Sequence, residues 1–257
     1  MAQFLAFAME FRGEDSWGAS NGEEVIKQIG PISEKFYIPK GWKEGIFHTR
    51  GASVGAITQK NAHPFVVGTG DKRIIGMHNG SVRNHKELNE KYGRKCEVDS
   101  EHIYHQMVDG KPLNELDGKG TMIWYQTVEG KRAIHLARWN FGDLECAELE
   151  GNGVVFCSNR EPIKIAAAMA RVKIKTFYEI LIDGWDHVIE NGKIMKVKSL
   201  DMYKYYNFAG RETVTDLKDY HKCRVCNETK TKFVICYKCI REAEKGFEKV
   251  WKGAMAI

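Results

Sequence analysis

Apolar residues in this chain fall into short runs separated by polar, glycine-containing turns, and only a few stretches carry a helical period. Residues 3–9 are almost wholly apolar and predict a buried strand. Gly13 and Gly18 bracket a polar turn leading into a second strand, and residues 22–30 predict a short helix ended by Gly30-Pro31. Residues 46–50 return to strand and residues 61–65 read as a loop. Residues 74–78 form a buried strand expected to stop at Asn79-Gly80, a strong turn signal. Residues 84–92 predict a helix, and Asp99 or Ser100 is placed to cap another that carries Ile103, Met107 and Val108 on one side.

Further along, residues 121–129 and 132–139 predict two strands joined at Glu129-Gly130, and residues 154–157 a further buried strand. Ser158 or Asn159 caps a helix with Pro162 in its first turn, and residues 186–198 close a hairpin around Asn191-Gly192. Many strands, a few interleaved helices and repeated hairpin signals favour an α+β fold with antiparallel sheets. Residues 199–220 are polar and weakly periodic, and the character changes at Cys223. Two domains are expected, residues 1–210 and a small module at 211–257.

Composition narrows the class. Of 257 residues 43% are apolar, and no run of about 18 apolar residues appears, so a soluble, cytoplasmic protein that does not enter membranes is expected. The net charge of +5 is unevenly placed, because residues 221–257 hold nine Lys/Arg against four Glu while the remainder cancels. An anionic partner should therefore meet the tail first.

The candidate chemistry of the larger region lies in three clusters: His48-Thr49-Arg50-Gly51-Ala52-Ser53, Met77-His78-Asn79-Gly80 and Asp99-Ser100-Glu101. An arginine to grip a carboxylate, an aspartate to hold an ammonium and an Asn-Gly pair to donate to an oxyanion together suit a small zwitterion. Taken singly, Arg50 reads equally as a surface ion pair, Asp99 as a helix cap and His78-Asn79-Gly80 as a hairpin turn. His48, His63 and His78 read as structural polar residues. Glu101, His102 and His105 read as one solvated helix face.

With Arg12-Gly13-Glu14-Asp15-Ser16-Trp17-Gly18 before them and Asn61-Ala62-His63-Pro64-Phe65 among them, these motifs run in the order of a known family. Over roughly residues 2–200 the chain resembles the glutaminase domain of class II glutamine amidotransferases, the N-terminal-nucleophile type. The resemblance implies an Ntn-hydrolase αββα sandwich of antiparallel sheets. It also implies hydrolysis of the glutamine side-chain amide through a cysteinyl acyl-enzyme, with ammonia passed to a partner enzyme or docked acceptor. Residue by residue it places Arg50 on the α-carboxylate and Asp99 on the α-ammonium, with His78 beside the substrate. Asn79 and Gly80 fall at the oxyanion hole, and Arg12 supports the nucleophile end.

The family's nucleophile is a cysteine whose own free amine is the base. Here that position holds Ala2, followed by Gln3-Phe4-Leu5. Alanine has no nucleophilic atom, so the chain as written should not form the acyl-enzyme. Either the cysteine has been replaced in an otherwise intact site, or the protein is a glutaminase-like binding or scaffold protein that has lost the reaction.

The tail carries its own motif. Cys223, Cys226, Cys236 and Cys239 form CxxC-x9-CxxC, a spacing that closes a tetrahedral four-sulfur site on one ion, with zinc the expected structural occupant over iron or two disulfides. The module resembles a zinc ribbon. Lys222, Arg224, Lys230, Lys232, Lys238 and Arg241 around it suit contact with nucleic acid or a partner enzyme, with Phe233 and Tyr237 available either for stacking or for the small core.

Overall fold

The computed structural model describes residues 1–200 apart from 129, 141, 152, 179–183 and 191–192, together with 202, 221–222 and 230–231. The chain divides into two units, Met1–Lys204 and Tyr205–Ile257. In chain order the first unit runs α1 (Ala2–Ala8), β1 (Ser16–Ser20), β2 (Val25–Ile29), α2 (Ile32–Lys35), β3 (Ile46–Arg50), β4 (Phe65–Val67) and β5 (Ile74–Val82). It continues with α3 (His85–Tyr92), α4 (Glu101–Val108), β6 (Gly118–Val128), β7 (Lys131–Trp139), β8 (Glu145–Leu149) and β9 (Gly153–Cys157). It closes with α5 (Arg160–Met169), β10 (Ile174–Tyr178), β11 (Trp185–Glu190) and β12 (Lys193–Ser199).

Three antiparallel sheets organise it: a six-stranded sheet in the order β12-β11-β7-β6-β5-β4, and two three-stranded sheets, β2-β1-β3 and β10-β8-β9. The period-2 pattern of β5, β6 and β7 decides the layering. Ile74, Met122, Trp124 and Trp139 face Leu88 of α3 and Ile103 and Tyr104 of α4. Ile75, Met77, Tyr125, Ile134 and Leu136 face the other way and meet Ile46 of β3 and Cys146 of β8. Beyond β8 and β9, Ala147 and Cys157 pack against Leu5 and Met9 at the α1 end and Ile163 and Ala166 of α5. The succession is helices, sheet, sheets, helices, a mixed α/β architecture compatible with an Ntn-type fold.

Several elements follow the sequence closely. Asn159 caps α5 as expected, its Oδ1 accepting from the Glu161 N–H at 3.0 Å. Strands β6, β7, β9, β11 and β12 fall where the apolar runs place them.

Three expectations are corrected. Residues 2–8 form a helix and not a strand, because their alanines, leucine and glutamine favour helix and because Leu5 and Met9, four apart, share one buried face. Residues 25–29 form a strand and not a helix. Val25, Ile26 and Ile29 are β-branched, and Asn21-Gly22 makes the turn of the β1–β2 hairpin, with Asn21 Oδ1 accepting from the Glu23 and Glu24 N–H groups at 3.0 and 2.8 Å. Finally, Asn79-Gly80 is no turn. Strand β5 runs on to Val82, pairing Asn79 with Thr121 and Gly80 with Gly120. At position 80 a Cβ would collide with the Lys119 carbonyl and lie 2.5 Å from His78 Nε2, so glycine serves close strand approach here.

In the second unit, β13 (His221–Lys222) pairs antiparallel with β14 (Lys230–Thr231). Cys223, Cys226, Cys236 and Cys239 lie outside the described residues. Among the described residues no helix is long and apolar enough to cross a membrane.

Candidate functional site

A cavity of about 600 Å³ opens within the first unit, and its walls come from distant parts of the sequence. Ala2, Arg12, Arg50, His78, Asn79, Gly80 and Asp99 all line it. Strand β3 delivers Arg50 at its last residue, β5 delivers His78, Asn79 and Gly80, and the turn before α4 delivers Asp99.

Arg50 is 4% exposed. Its Nη2 donates to the Val54 carbonyl at 2.6 Å and its Nη1 to that of Ala56 at 3.4 Å, so the guanidinium holds the following loop in place. Five donors are present on a guanidinium, and two are so engaged. Burial works against its charge, while Asp15 and Asp99 support it. Asp15 secures the same corner twice. Its N–H donates to the Arg50 carbonyl at 3.1 Å, and its Oδ2 accepts from the Ala52 N–H at 2.7 Å. Gly13 packs so tightly on the Arg50–Gly51 peptide that any Cβ would collide with it.

Asp99 is buried and does not cap α4. Its Oδ2 accepts from the Val82 N–H at 2.6 Å, and Oδ1 lies 3.5 Å from the Ser100 hydroxyl. Ser100 is the first residue outside α4, yet it too makes no side-chain cap bond, because its Oγ sits 2.9 Å from His78 Nδ1. On the other side of the ring, Nε2 lies 3.2 Å from the Lys119 carbonyl. A carbonyl can only accept, so Nε2 carries the proton and Nδ1 accepts from Ser100. Burial, opposed by Asp99, lowers the His78 pKa to about 4, which keeps the ring neutral. The ring thus ties β5, β6 and the start of α4 together.

Two more histidines, read from the sequence as structural polar residues, stand in this wall. His48 and His63 lie with ring centroids 4.1 Å apart, and both line the cavity. Burial first, then the neighbouring His78 and Arg50, lowers the His48 pKa to about 4, against a hydrogen bond to the His78 backbone. Burial and the adjacent His48 hold His63 well below the ordinary histidine value. His48 Nδ1 and both nitrogens of His63 have no hydrogen-bond partner among the described residues.

Another part of the cavity lining is largely apolar. Ala2 opens α1, and Leu5, Met9, Phe47 and Cys157 line the space near it. Cys157 Sγ lies 3.0 Å from Met9 Sδ, and burial raises its pKa against hydrogen bonds from the Asn159 and Ser158 backbone. Arg12, at the end of a short 3-10 turn, is near enough to act on Cys157 and His48 electrostatically.

Comparison with known proteins bears on this wall. Residues 42–119 match the family model described as Glutamine amidotransferases class-II, a stretch that includes Arg50, His78, Asn79, Gly80 and Asp99 but neither Ala2 nor Arg12. The chain is similar to the isomerizing glutamine–fructose-6-phosphate aminotransferase of Streptococcus agalactiae, at 28% identity over 171 residues, covering 61% of this chain and 26% of that protein. The enzyme of the same name from Methanosarcina acetivorans is 38% identical over 125 residues, covering 43% of this chain and 20% of that protein. That of Streptococcus pyogenes is 35% identical over 171 residues, covering 61% and 26%. The matched part thus spans about a quarter or less of these curated relatives. The chain contains a class II glutamine amidotransferase domain.

Proposed function

We propose that this domain binds glutamine in the 600 Å³ cavity as the glutaminase half of an ammonia-supplying system of the Ntn-hydrolase type. The observation that carries the reading is the convergence on one cavity of seven residues drawn from positions 2 to 99. The free donors of Arg50 take the α-carboxylate, a planar pairing that suits a guanidinium. Asp99 has lone pairs beyond the one that accepts from the Val82 N–H, and these take the α-ammonium. Asn79 and Gly80 line the same cavity as Ala2 and supply donors to the amide oxygen as charge develops there. His78 orients Ser100 and the β5–β6 seam, and Arg12 supports the nucleophile end.

Ala2 lacks the atom that would attack the amide. As written, the chain holds glutamine without forming a thioester. With cysteine at this position, the thiol would add to the amide carbon, ammonia would leave, and water would then release glutamate. The released ammonia would then pass to an acceptor site. In the second unit a structural zinc ion held by Cys223, Cys226, Cys236 and Cys239 accounts for the thiolate spacing, and the basic surplus around it is the feature that would meet an anionic partner.

The absence of a nucleophile at Ala2 favours a second reading, a glutamine-binding or scaffold protein without hydrolysis. Ala2→Cys separates the two. Glutamate release by that variant, measured with coupled dehydrogenase detection, supports the glutaminase. A folded Ala2→Cys protein that binds glutamine but releases none supports the scaffold.

A further inference from the structure

Outside the cavity wall, the structure gathers three residues that the sequence pattern did not associate. Cys96 precedes the turn that leads into α4, Glu101 opens that helix, and His105 follows one turn later on the same face. Their ligand atoms all lie within 4.8 Å of one another. Among the described residues this is the sole such group of three potential metal ligands. The arrangement differs from a solvated face of Glu101, His102 and His105. His102 is fully buried and turned toward Arg94, whose Nη1 lies 3.5 Å from its Nδ1, and Cys96 takes its place beside the other two.

We infer that Cys96, Glu101 and His105 form a binding site for a divalent transition-metal ion of the zinc type. A thiolate, a carboxylate and an imidazole are the borderline ligands such an ion accepts, and three protein ligands leave a fourth, open position. Around a tetrahedral ion, ligand atoms stand roughly 3.3–3.7 Å apart, so the group must contract by about 1 Å. Glu101 and His105 can supply that movement. Their side chains are 24% and 29% exposed, and Glu101 Oε1 already lies 3.7 Å from His105 Nε2.

The thiol end is fixed. The Cys96 N–H donates to Asn89 Oδ1 at 3.0 Å, and its carbonyl accepts from Asn89 Nδ2 at 2.9 Å, so one side chain clamps the backbone on both sides. Nearby cations that would oppose a metal are largely matched by carboxylates other than the ligands. Lys60 pairs with Glu97 at 3.0 Å and Arg94 with Asp109 at 2.6 Å. Lys27 is the further cation that senses Glu101. The ion would staple the turn of residues 96–100 to α4, and Asp99 and Ser100 of that turn wall the cavity. The site itself stands apart from the glutamine reading.

The test is metal stoichiometry of the full chain. Protein stripped with chelator, reloaded with zinc and dialysed is measured by mass spectrometry of the metal, and cobalt(II) absorption reports thiolate ligation. Each protein serves as its own fold control by circular dichroism. Cys96→Ser and His105→Ala should each bind one equivalent less than the parent, whatever the tail cysteines bind, and Cys96→Ser should lose one thiolate's share of the cobalt charge-transfer band. Equal stoichiometry in parent and variants overturns the site. His105→Ala, at a partly exposed position, keeps the test decisive if Cys96→Ser fails to fold.

Discussion

The two ends of the cavity are built on different principles. At the recognition end, Arg50, His78 and Asp99 are buried polar groups, each fixed by hydrogen bonds to backbone or neighbouring side chains. At the N-terminal end, Leu5, Met9 and Cys157 pack as apolar surface, and the residue nearest the expected chemistry is an alanine. A buried polar group costs free energy unless its partners are in place, so the first end admits little variation in residue or geometry. Apolar packing is met by many residue combinations, so the second can drift. A site can therefore keep its specificity while losing its reactivity.

The largest expected effect tests the rigidity of the first end. Gly80→Ala drives a Cβ into the β6 backbone at Lys119 and Gly120, and neither strand can yield without breaking the ladder. A loss of about 3 kcal/mol or more is expected, roughly 6–12 °C in Tm for a unit of this size. An unchanged melting temperature would mean that this end is as plastic as the other.

Arg50→Lys comes next. It keeps the charge but removes the fork that reaches both Val54 and Ala56 and would also grip a carboxylate. Calorimetric titration with glutamine should show binding weaker by about 10- to 150-fold, on the order of 1.5–3 kcal/mol. Affinity within twofold of the parent would remove Arg50 from recognition.

A third test needs no substitution and reads a pH slope. His48 and His78 have folded-state pKa values of about 4, below the unfolded value near 6.5. Between those values the unfolded chain binds more protons than the folded one, so stability is full above about pH 6.5 and falls as the pH drops toward 4. Each ring contributes a slope of up to about 1.4 kcal/mol per pH unit. Urea midpoints measured from pH 7.5 to 4.5 should show this decline, and His48→Phe should remove that ring's share of it while the share of His78 remains. A flat profile in the parent would place the recognition end in contact with water.

What could be read from the sequence follows the same division. Arg50, Asn79, Gly80 and Asp99 are distinctive because few residue types suit the roles proposed for them, and the structure gathers them around one cavity. The roles of Ser100 and Asp15 were hidden. Short polar side chains near a helix start or a turn ordinarily serve caps, and only the fold shows that Ser100 faces His78 and Asp15 faces Ala52. Residues 2–8 were misread because an apolar run of that length has no clear period, and the packing of Leu5 and Met9 against α5 decides it. Residues 22–30 were read as a helix from the stop at Gly30-Pro31, although Asn21-Gly22 is the local signal for the β1–β2 turn. The strand through Asn79-Gly80 was not legible, since nothing local announces the facing Gly120.

Arg50 holds the loop after β3 with the same head group that faces the cavity. On the proposed role of Arg50 in binding the carboxylate, selectivity and loop order would be controlled by one side chain and could not be adjusted separately. Anyone redesigning the cavity for another amino acid would have to rebuild residues 51–56 at the same time, and directed evolution starting from a single change at position 50 would first pass through a protein with a loosened wall.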